Sequence, residues 1–292
     1  MKIIGKFSIR SLVVGIFLLV LLFYVLAPYV WLVIQSFVSY EHLSMSVPQF
    51  FPETFLNYLR LAGLVKPGGI YQMNVPPGVQ YVGISILHSF AVSSTSTLIA
   101  IFLGSLSAYT FAKMKFRGSG RMLTATIGLR MLPVTSVIIP IFIMMNTLQL
   151  MDSLIGLIIV YTSMLIPYNI LMLTSFFETI PSDLDDAARV DGCSRFQSLI
   201  SVIMPLASPG LVAVAIFDFL IAWNEFFVAL ILTRSGASYT LPVIISMFTN
   251  VPQMIPYDYM ITAGVVGSLP PLILSIVFSK YIVKGLTAGA IK

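Results

Sequence analysis

The sequence predicts an all-α membrane protein with six transmembrane spans. Of its 292 residues, 58% are hydrophobic and only 9% are charged, and the mean hydropathy is +0.98. In an ordinary soluble domain about a quarter of the residues are charged, because polar side chains must cover its surface. With 16 Lys and Arg and 11 Asp and Glu, this chain cannot cover itself in that way, so lipid must surround most of it.

Long uncharged intervals locate the spans, because a helix needs about 20 mostly apolar residues to cross about 30 Å of hydrocarbon. Span 1, at about 11–36, is too long for the apolar region of a signal peptide and is predicted to be retained. The other spans are predicted at about 82–111, 122–147, 154–177, 209–232 and 260–279. The chain 1–292 is therefore predicted to form a single transmembrane domain.

The positions of Lys and Arg predict the sidedness, because cytoplasmic loops are enriched in these residues. Twelve of the 16 lie in the two tails, the loop after span 2 and the loop after span 4. They are Lys2, Lys6, Arg10, Lys113, Lys115, Arg117, Arg121, Arg189, Arg195, Lys280, Lys284 and Lys292. The opposite side has only Arg60, Lys66 and Arg234. Both termini are predicted to be cytoplasmic, and segment 37–81 is predicted to be an external loop.

Several function classes are excluded by composition and motifs. The net charge of +5 lies in short clusters between apolar stretches, which is typical of membrane topology and not of nucleic-acid binding. Cys193 is the only cysteine and His42 and His88 are far apart in the sequence, so no metal site is predicted. The chain also has no GxxxxGK[ST] sequence to hold a nucleotide phosphate, so it is predicted to bind no cofactor itself.

The external loop contains one helical pattern. Phe55, Tyr58, Leu59 and Ala62 recur at i, i+3, i+4 and i+7 after Pro52, which predicts a short helix. This helix lies either on the membrane surface or a partner, or against the protein's own helices.

The predicted cytoplasmic loop at 178–208 begins with signals for a short helix. Ser182 is a candidate N-cap, and Asp183, Asp185 and Asp186 lie near the positive end of the helix. Gly192 follows as a C-terminal stop.

A second short helix is predicted directly after this stop. Ser194 and Gln197 have the spacing of a capping box. Phe196, Leu199, Ile200 and Ile203 then recur with helical spacing, and Pro205 is predicted to end the helix. Two capped helices in an aqueous loop indicate that something rigid docks there.

The same loop contains a regularly spaced motif. Asp186-Ala187-Ala188 is followed after three residues by Gly192 and after nine more by Val202, with Met204-Pro205 behind it. This motif resembles the EAA loop of ABC-importer permeases, whose pattern is Glu-Ala-Ala, three residues, Gly, nine residues, Ile-x-Leu-Pro. The departures are Asp186 for Glu, Val202 for Ile and Met204 for Leu, and all three are mild in chemistry.

Three further stretches resemble the carbohydrate-uptake branch of the same family. They are Ser107-Ala108-Tyr109, Trp223-Asn224-Glu225-Phe226 and Gly285-Leu286-Thr287-Ala288-Gly289-Ala290. The resemblance implies the six-span type I permease fold in the inner membrane of a bacterium or archaeon. It also implies a second permease subunit in a heterodimer, two ATPase subunits that bind ATP and Mg²⁺, and an external solute-binding protein.

The resemblance further implies that the loop docks on an ATPase subunit. The small side chains would allow close approach of a partner, and Gly192 would permit the bend. The alternative is that Ala187, Ala188 and Gly192 only pack helices within the permease. The residues assigned to docking are Asp186, Ala187, Ala188, Gly192, Val202, Met204 and Pro205.

Charges inside spans are costly and are commonly paired or functional. Arg130 and Asp218 lie at similar predicted depth, so we hypothesise that they form an ion pair, which either fixes packing or takes part in translocation. Glu225 follows Asp218 by seven residues on the same helical face. It either lines the pathway or reaches the outer interface beside Trp223.

The resemblance thus implies a non-catalytic permease subunit of an ATP-driven importer, which forms an alternating-access path for a sugar or related polar solute. The alternative is a secondary transporter driven by protons or sodium, in which Asp218 and Glu225 would be the coupling carboxylates.

Overall fold

A computed structural model describes residues 9–43, 48–65, 76–114, 116–250 and 255–280. All regular elements within these ranges are helical. Several residues used in the sequence analysis lie outside the described residues. They are Lys2, Lys6, Lys66, Lys115, Lys284, Lys292 and the tail stretch 285–290.

The described contacts divide the chain into two units. Unit 1 comprises Met1–Gln80 and Met247–Gly267, and unit 2 comprises Tyr81–Ser246 and Ser268–Lys292. Unit 1 contains α1 (Ile9–Gln35), α2 (Tyr40–Leu43), α3 (Leu56–Leu61) and the first half of α14 (Tyr257–Val277).

The short helix predicted in the external loop is confirmed as α3, and it packs on its own chain. Asn57 is buried, and its amide donates hydrogen bonds to the carbonyls of Ser36 (3.0 Å) and Val38 (2.8 Å). The Tyr58 ring lies 4.9 Å from that of Phe37, and the Tyr58 hydroxyl is 2.6 Å from the Ser36 hydroxyl. These contacts hold α3 against the end of α1.

Unit 2 contains the predicted functional residues, together with the following helices. They are α4 (Val82–Lys113), α5 (Ser119–Arg130), α6 (Val134–Thr147), α7 (Leu154–Glu178), α8 (Ser182–Val190), α9 (Arg195–Ser198), α10 (Met204–Leu206), α11 (Ser208–Trp223), α12 (Phe227–Leu232) and α13 (Leu241–Met247). Helices α4, α7 and α11 pack against one another. Gly104 permits this approach, because a Cβ atom there would lie 2.5 Å from the Cβ of Asn169 on α7.

Four described helices are long and apolar enough to cross a membrane, at 11–35, 79–113, 154–178 and 257–277. Two bent pairs raise the number to six if each counts as one span. Helices α5 and α6 meet at 91°, because Pro133 interrupts the helix between them. The segment 195–206 meets α11 at 84°. Predicted span 5, at 209–232, is broken after Trp223, and α12 begins at Phe227.

Candidate functional site

The loop at 178–208, which contains the residues assigned to docking, begins with α8. Pro181 occupies the N-cap position with extended ψ, so the prediction that the Ser182 side chain caps this helix is wrong; Ser182 is its first residue. Asp183 and Asp185 lie in the first turn, where the helix dipole favours negative charge. Gly192 has φ +93°, a conformation that favours glycine, and its predicted role in the bend is confirmed.

The second part of the loop is an interrupted helix. The capping box of Ser194 and Gln197 is confirmed, with both of its hydrogen bonds present. A π turn at Leu199–Ile203 separates α9 from α10, and the helix continues through Pro205 to Leu206. The predicted end of the helix at Pro205 is therefore confirmed to within one residue. Proline lacks the N–H that an α-helix requires there, and the irregular turn before it accommodates this loss.

The loop exposes apolar side chains on both of its parts. We refer to these exposed side chains as the apolar loop face, and they are Leu184, Val190, Phe196, Ile200 and Leu206. The Val190 side chain is 87% exposed. An uncovered apolar surface of this kind is typical of an interaction site.

The second part of the loop is nevertheless anchored by apolar packing. Leu199 and Ile203 are buried in a cluster with Tyr109, Leu173 and Phe177. One side of this segment therefore belongs to the core of unit 2, while its other side stays uncovered.

The residues of the docking pattern differ in accessibility. Ala188 is buried on its own chain, as the packing alternative predicts for this residue. Asp186 and Ala187 are exposed and remain accessible to a partner. Of the remaining residues, Gly192 and Pro205 are exposed, and Val202 and Met204 are half-buried.

Sequence reasoning missed the role of Asp185. Its carboxylate is buried and accepts hydrogen bonds from the hydroxyls of Tyr109 on α4 (2.8 Å) and Ser198 on α9 (2.5 Å). The Lys113 ammonium on α4 also donates to the carbonyl of Ile180, just before α8. The helical pattern gave no signal for this contact, because an acid in a first helical turn is ordinarily exposed.

Arg130 and Asp218 do not form the predicted ion pair. The Arg130 guanidinium lies over the ring of Tyr168, 4.9 Å from its centroid. Asp218 is fully buried on α11 and accepts a hydrogen bond from the Asn169 amide at 2.7 Å. The prediction is wrong because side chains on α7 contact both groups, and the bend after α5 separates Arg130 from the rest of span 3.

Glu225 lies in the break between α11 and α12. Its carboxylate accepts hydrogen bonds from the N–H groups of Val228 (2.9 Å) and Ala229 (3.1 Å), and from the Tyr161 hydroxyl (2.8 Å). Glu225 thus caps α12 and joins it to α7. Its place on the pathway stays a prediction.

A second carboxylate missed by sequence reasoning, Asp152, lies just before α7. It accepts hydrogen bonds from the N–H groups of Arg234 (2.8 Å) and Ser235 (3.0 Å), and from the hydroxyls of Ser235 (2.6 Å) and Ser238. Burial raises the pKa of the Asp152 carboxyl, but these hydrogen bonds outweigh burial and lower the pKa from 3.8 to about 2. Asp152 therefore ties the turn before α7 to the segment after α12.

Comparisons with known proteins agree with this architecture. Residues 100–288 match the family described as the binding-protein-dependent transport system inner membrane component. The chain is 34% identical over 269 residues to the sulfoquinovosyl glycerol transport system permease protein SmoH of Agrobacterium fabrum, covering 91% of this chain and 89% of that protein. It is 31% identical over 281 residues to the trehalose/maltose transport system permease protein MalG of Thermococcus litoralis, covering 96% of each.

A solved structure has the same fold. It is a chain of a bacterial ABC transporter involved in the import of the acidic polysaccharide alginate, with a TM-score of 0.73 and 21% identity, over 95% of this chain and 99% of that chain. The predicted resemblance to ABC-importer permeases, the all-helical permease fold and the inner-membrane location are thus confirmed. The chain belongs to the family of inner membrane components of binding-protein-dependent transport systems.

Proposed function

We propose that the chain is a permease subunit that forms, with a second permease subunit, an alternating-access path for a sugar or related polar solute. Two separate ATPase subunits hydrolyse ATP, and an external binding protein delivers the solute. The names of the relatives, which include a trehalose/maltose permease, support the sugar class. Family membership favours this function over the secondary transporter.

The exposed loop at 182–206 carries the proposal. On α8 the exposed Leu184 and Val190 flank the accessible Asp186 and Ala187 in the sequence, so a partner could bury apolar surface and meet a carboxylate on the same helix. We assign this contact to an ATPase subunit, because this chain has no phosphate-binding sequence of its own. The loop and both termini then lie in the cytoplasm.

Purification from native membranes through a tag on this chain tests the docking assignment. The co-purified proteins should include an ATPase with a GxxxxGK[ST] sequence. Ala187→Trp should lower the amount of this ATPase by about tenfold, because a bulky side chain would separate the two surfaces. Ala237→Trp changes an exposed alanine far from the loop in sequence and should leave the amount unchanged. Equal recovery with both variants would contradict the docking assignment.

Uptake into vesicles distinguishes an ATP-driven importer from a secondary transporter. With the purified complex and its binding protein, radiolabelled trehalose or maltose should accumulate on addition of ATP and not under a proton or sodium gradient alone. Accumulation driven by a gradient without ATP would contradict the proposal.

Thiol labelling tests the sidedness. In a Cys193→Ser background, a cysteine in place of Leu64 should react with an impermeant reagent outside intact cells, whereas one in place of Val190 should react only after permeabilisation. Both original side chains are well exposed. The reverse pattern would overturn the topology.

A further inference from the structure

The first helix of the loop has little apolar anchorage of its own. Asp185 and Ala188 are the buried residues of α8, while Leu184 and Val190 are exposed. The second part of the loop is instead held through residues such as Leu199 in the apolar cluster. The position of α8 itself therefore depends on the hydrogen bonds of one carboxylate, together with the buried Ile180 and its hydrogen bond from Lys113 just before the helix.

These hydrogen bonds join three elements at one oxygen atom. The hydroxyls of Tyr109 and Ser198 both donate to Oδ1 of Asp185, and all three residues are at least 95% buried. Hydroxyl donors to a buried carboxylate form strong hydrogen bonds, because water cannot compete and one partner is charged. Tyr109 belongs to α4, the helix that packs against both α7 and α11.

We propose that the Tyr109–Asp185–Ser198 contact makes α8 move as one body with α4, so that motion of the docked ATPase reaches the spans. This role rests on the proposed function, since it requires that an ATPase docks on the loop. The three residues are positioning residues, and they touch neither ATP nor the transported solute.

Distances between spin labels test the proposal in the purified complex with its ATPase subunits. The labels replace Leu98 on α4 and Val190 on α8, whose side chains are both exposed, with Cys193→Ser as background. The distance distribution should be narrow and should keep its mean when the complex is trapped with ATP and vanadate. In Tyr109→Phe/Ser198→Ala, the distribution should be about twice as wide, and its mean should shift on trapping.

Matched variants separate the contact from general damage. Tyr24→Phe and Ser175→Ala remove an exposed hydroxyl and a hydroxyl bonded within its own helix, and they should leave the distribution unchanged. Asp185→Asn keeps an acceptor oxygen and should retain the narrow distribution, whereas Asp185→Leu should broaden it. A purely structural role would lower the yield of folded complex without altering the response to trapping in the complex that remains, and that result would overturn the proposal.

Two failures can be told apart. If no ATPase co-purifies with the unmodified chain, the proposed function is wrong. If the ATPase is present and the double variant keeps the distance distribution of the unmodified chain both before and after trapping, the proposed role of the Tyr109–Asp185–Ser198 contact is wrong.

Discussion

Helix α7 has a carboxylate contact near each end, and the two contacts use different donors. Asp152, before its first residue, accepts bonds from two backbone N–H groups and two hydroxyls. Asp185, beyond its last residue, accepts bonds from the hydroxyls of Tyr109 and Ser198. Backbone donors are present whatever the side chain, whereas each hydroxyl depends on one residue.

The segments held by these two carboxylates also differ in how deeply their side chains are buried. After α12, Thr233, Ser238 and Thr240 are buried. The loop at 182–206 instead leaves its apolar face uncovered. The comparison shows that the segment held by Asp152 is largely buried within the chain, whereas the loop held by Asp185 leaves apolar side chains exposed, which the proposed function assigns to contact with a partner.

The largest effect is expected at Asp152. Asp152→Ala should lower the free energy of unfolding by about 3 kcal/mol, because it removes a charged acceptor from several donors at once. The measurement is the thermal unfolding midpoint of the purified complex at a fixed heating rate. Asp183→Ala removes an exposed carboxylate that contributes at most about 1 kcal/mol through the helix dipole, and it serves as the control. Equal midpoints for the two variants would show that the Asp152 contact adds no stability.

A smaller loss of stability is expected from a substitution at Gly192, the bend in the loop that contains Asp185. Gly192→Val places a β-branched residue at φ +93°, at a cost of about 1–2 kcal/mol. Trypsin should then cleave after the exposed Arg189 and Arg195 about five to ten times faster. Gly120→Val lies in helical backbone with open space around its Cβ position and should not change the rate. Unchanged cleavage of Gly192→Val would mean that the bend does not order the loop.

The Asp152 contact should also depend on pH. Because its folded pKa, about 2, is below its ordinary value of 3.8, its contribution is present above about pH 4 and is lost as the pH falls towards 2. The midpoint of the unmodified complex should therefore fall more steeply over this range than that of Asp152→Asn, which does not titrate. Parallel curves would contradict the assignment.

Local signals predicted the elements that depend on neighbouring residues in sequence. The capping box at Ser194, the bend at Gly192 and the helix α3 followed from spacing alone. The contacts of Asp185 and Asp152 could not be predicted, because Tyr109 lies 76 residues from the first and Ser235 lies 83 residues from the second. The Arg130–Asp218 pair failed for a related reason: equal depth along two spans does not specify which faces meet.

The smallest effect concerns the interior of the helices, between the two ends of α7. Arg130→Met should lower the free energy of unfolding by about 1 kcal/mol, because the guanidinium loses its contact with the Tyr168 ring. A double-mutant cycle with Tyr168→Leu should give a coupling of similar size. A cycle with Asp218→Leu should give a smaller coupling, since the two side chains form no ion pair and interact only electrostatically at longer range. Unfolding midpoints of the single and double variants measure both couplings. If Arg130 couples more strongly to Asp218 than to Tyr168, the ion pair forms in the membrane. A charged contact would then stabilise the helices between the two ends of α7, as the Asp152 and Asp185 contacts do near those ends.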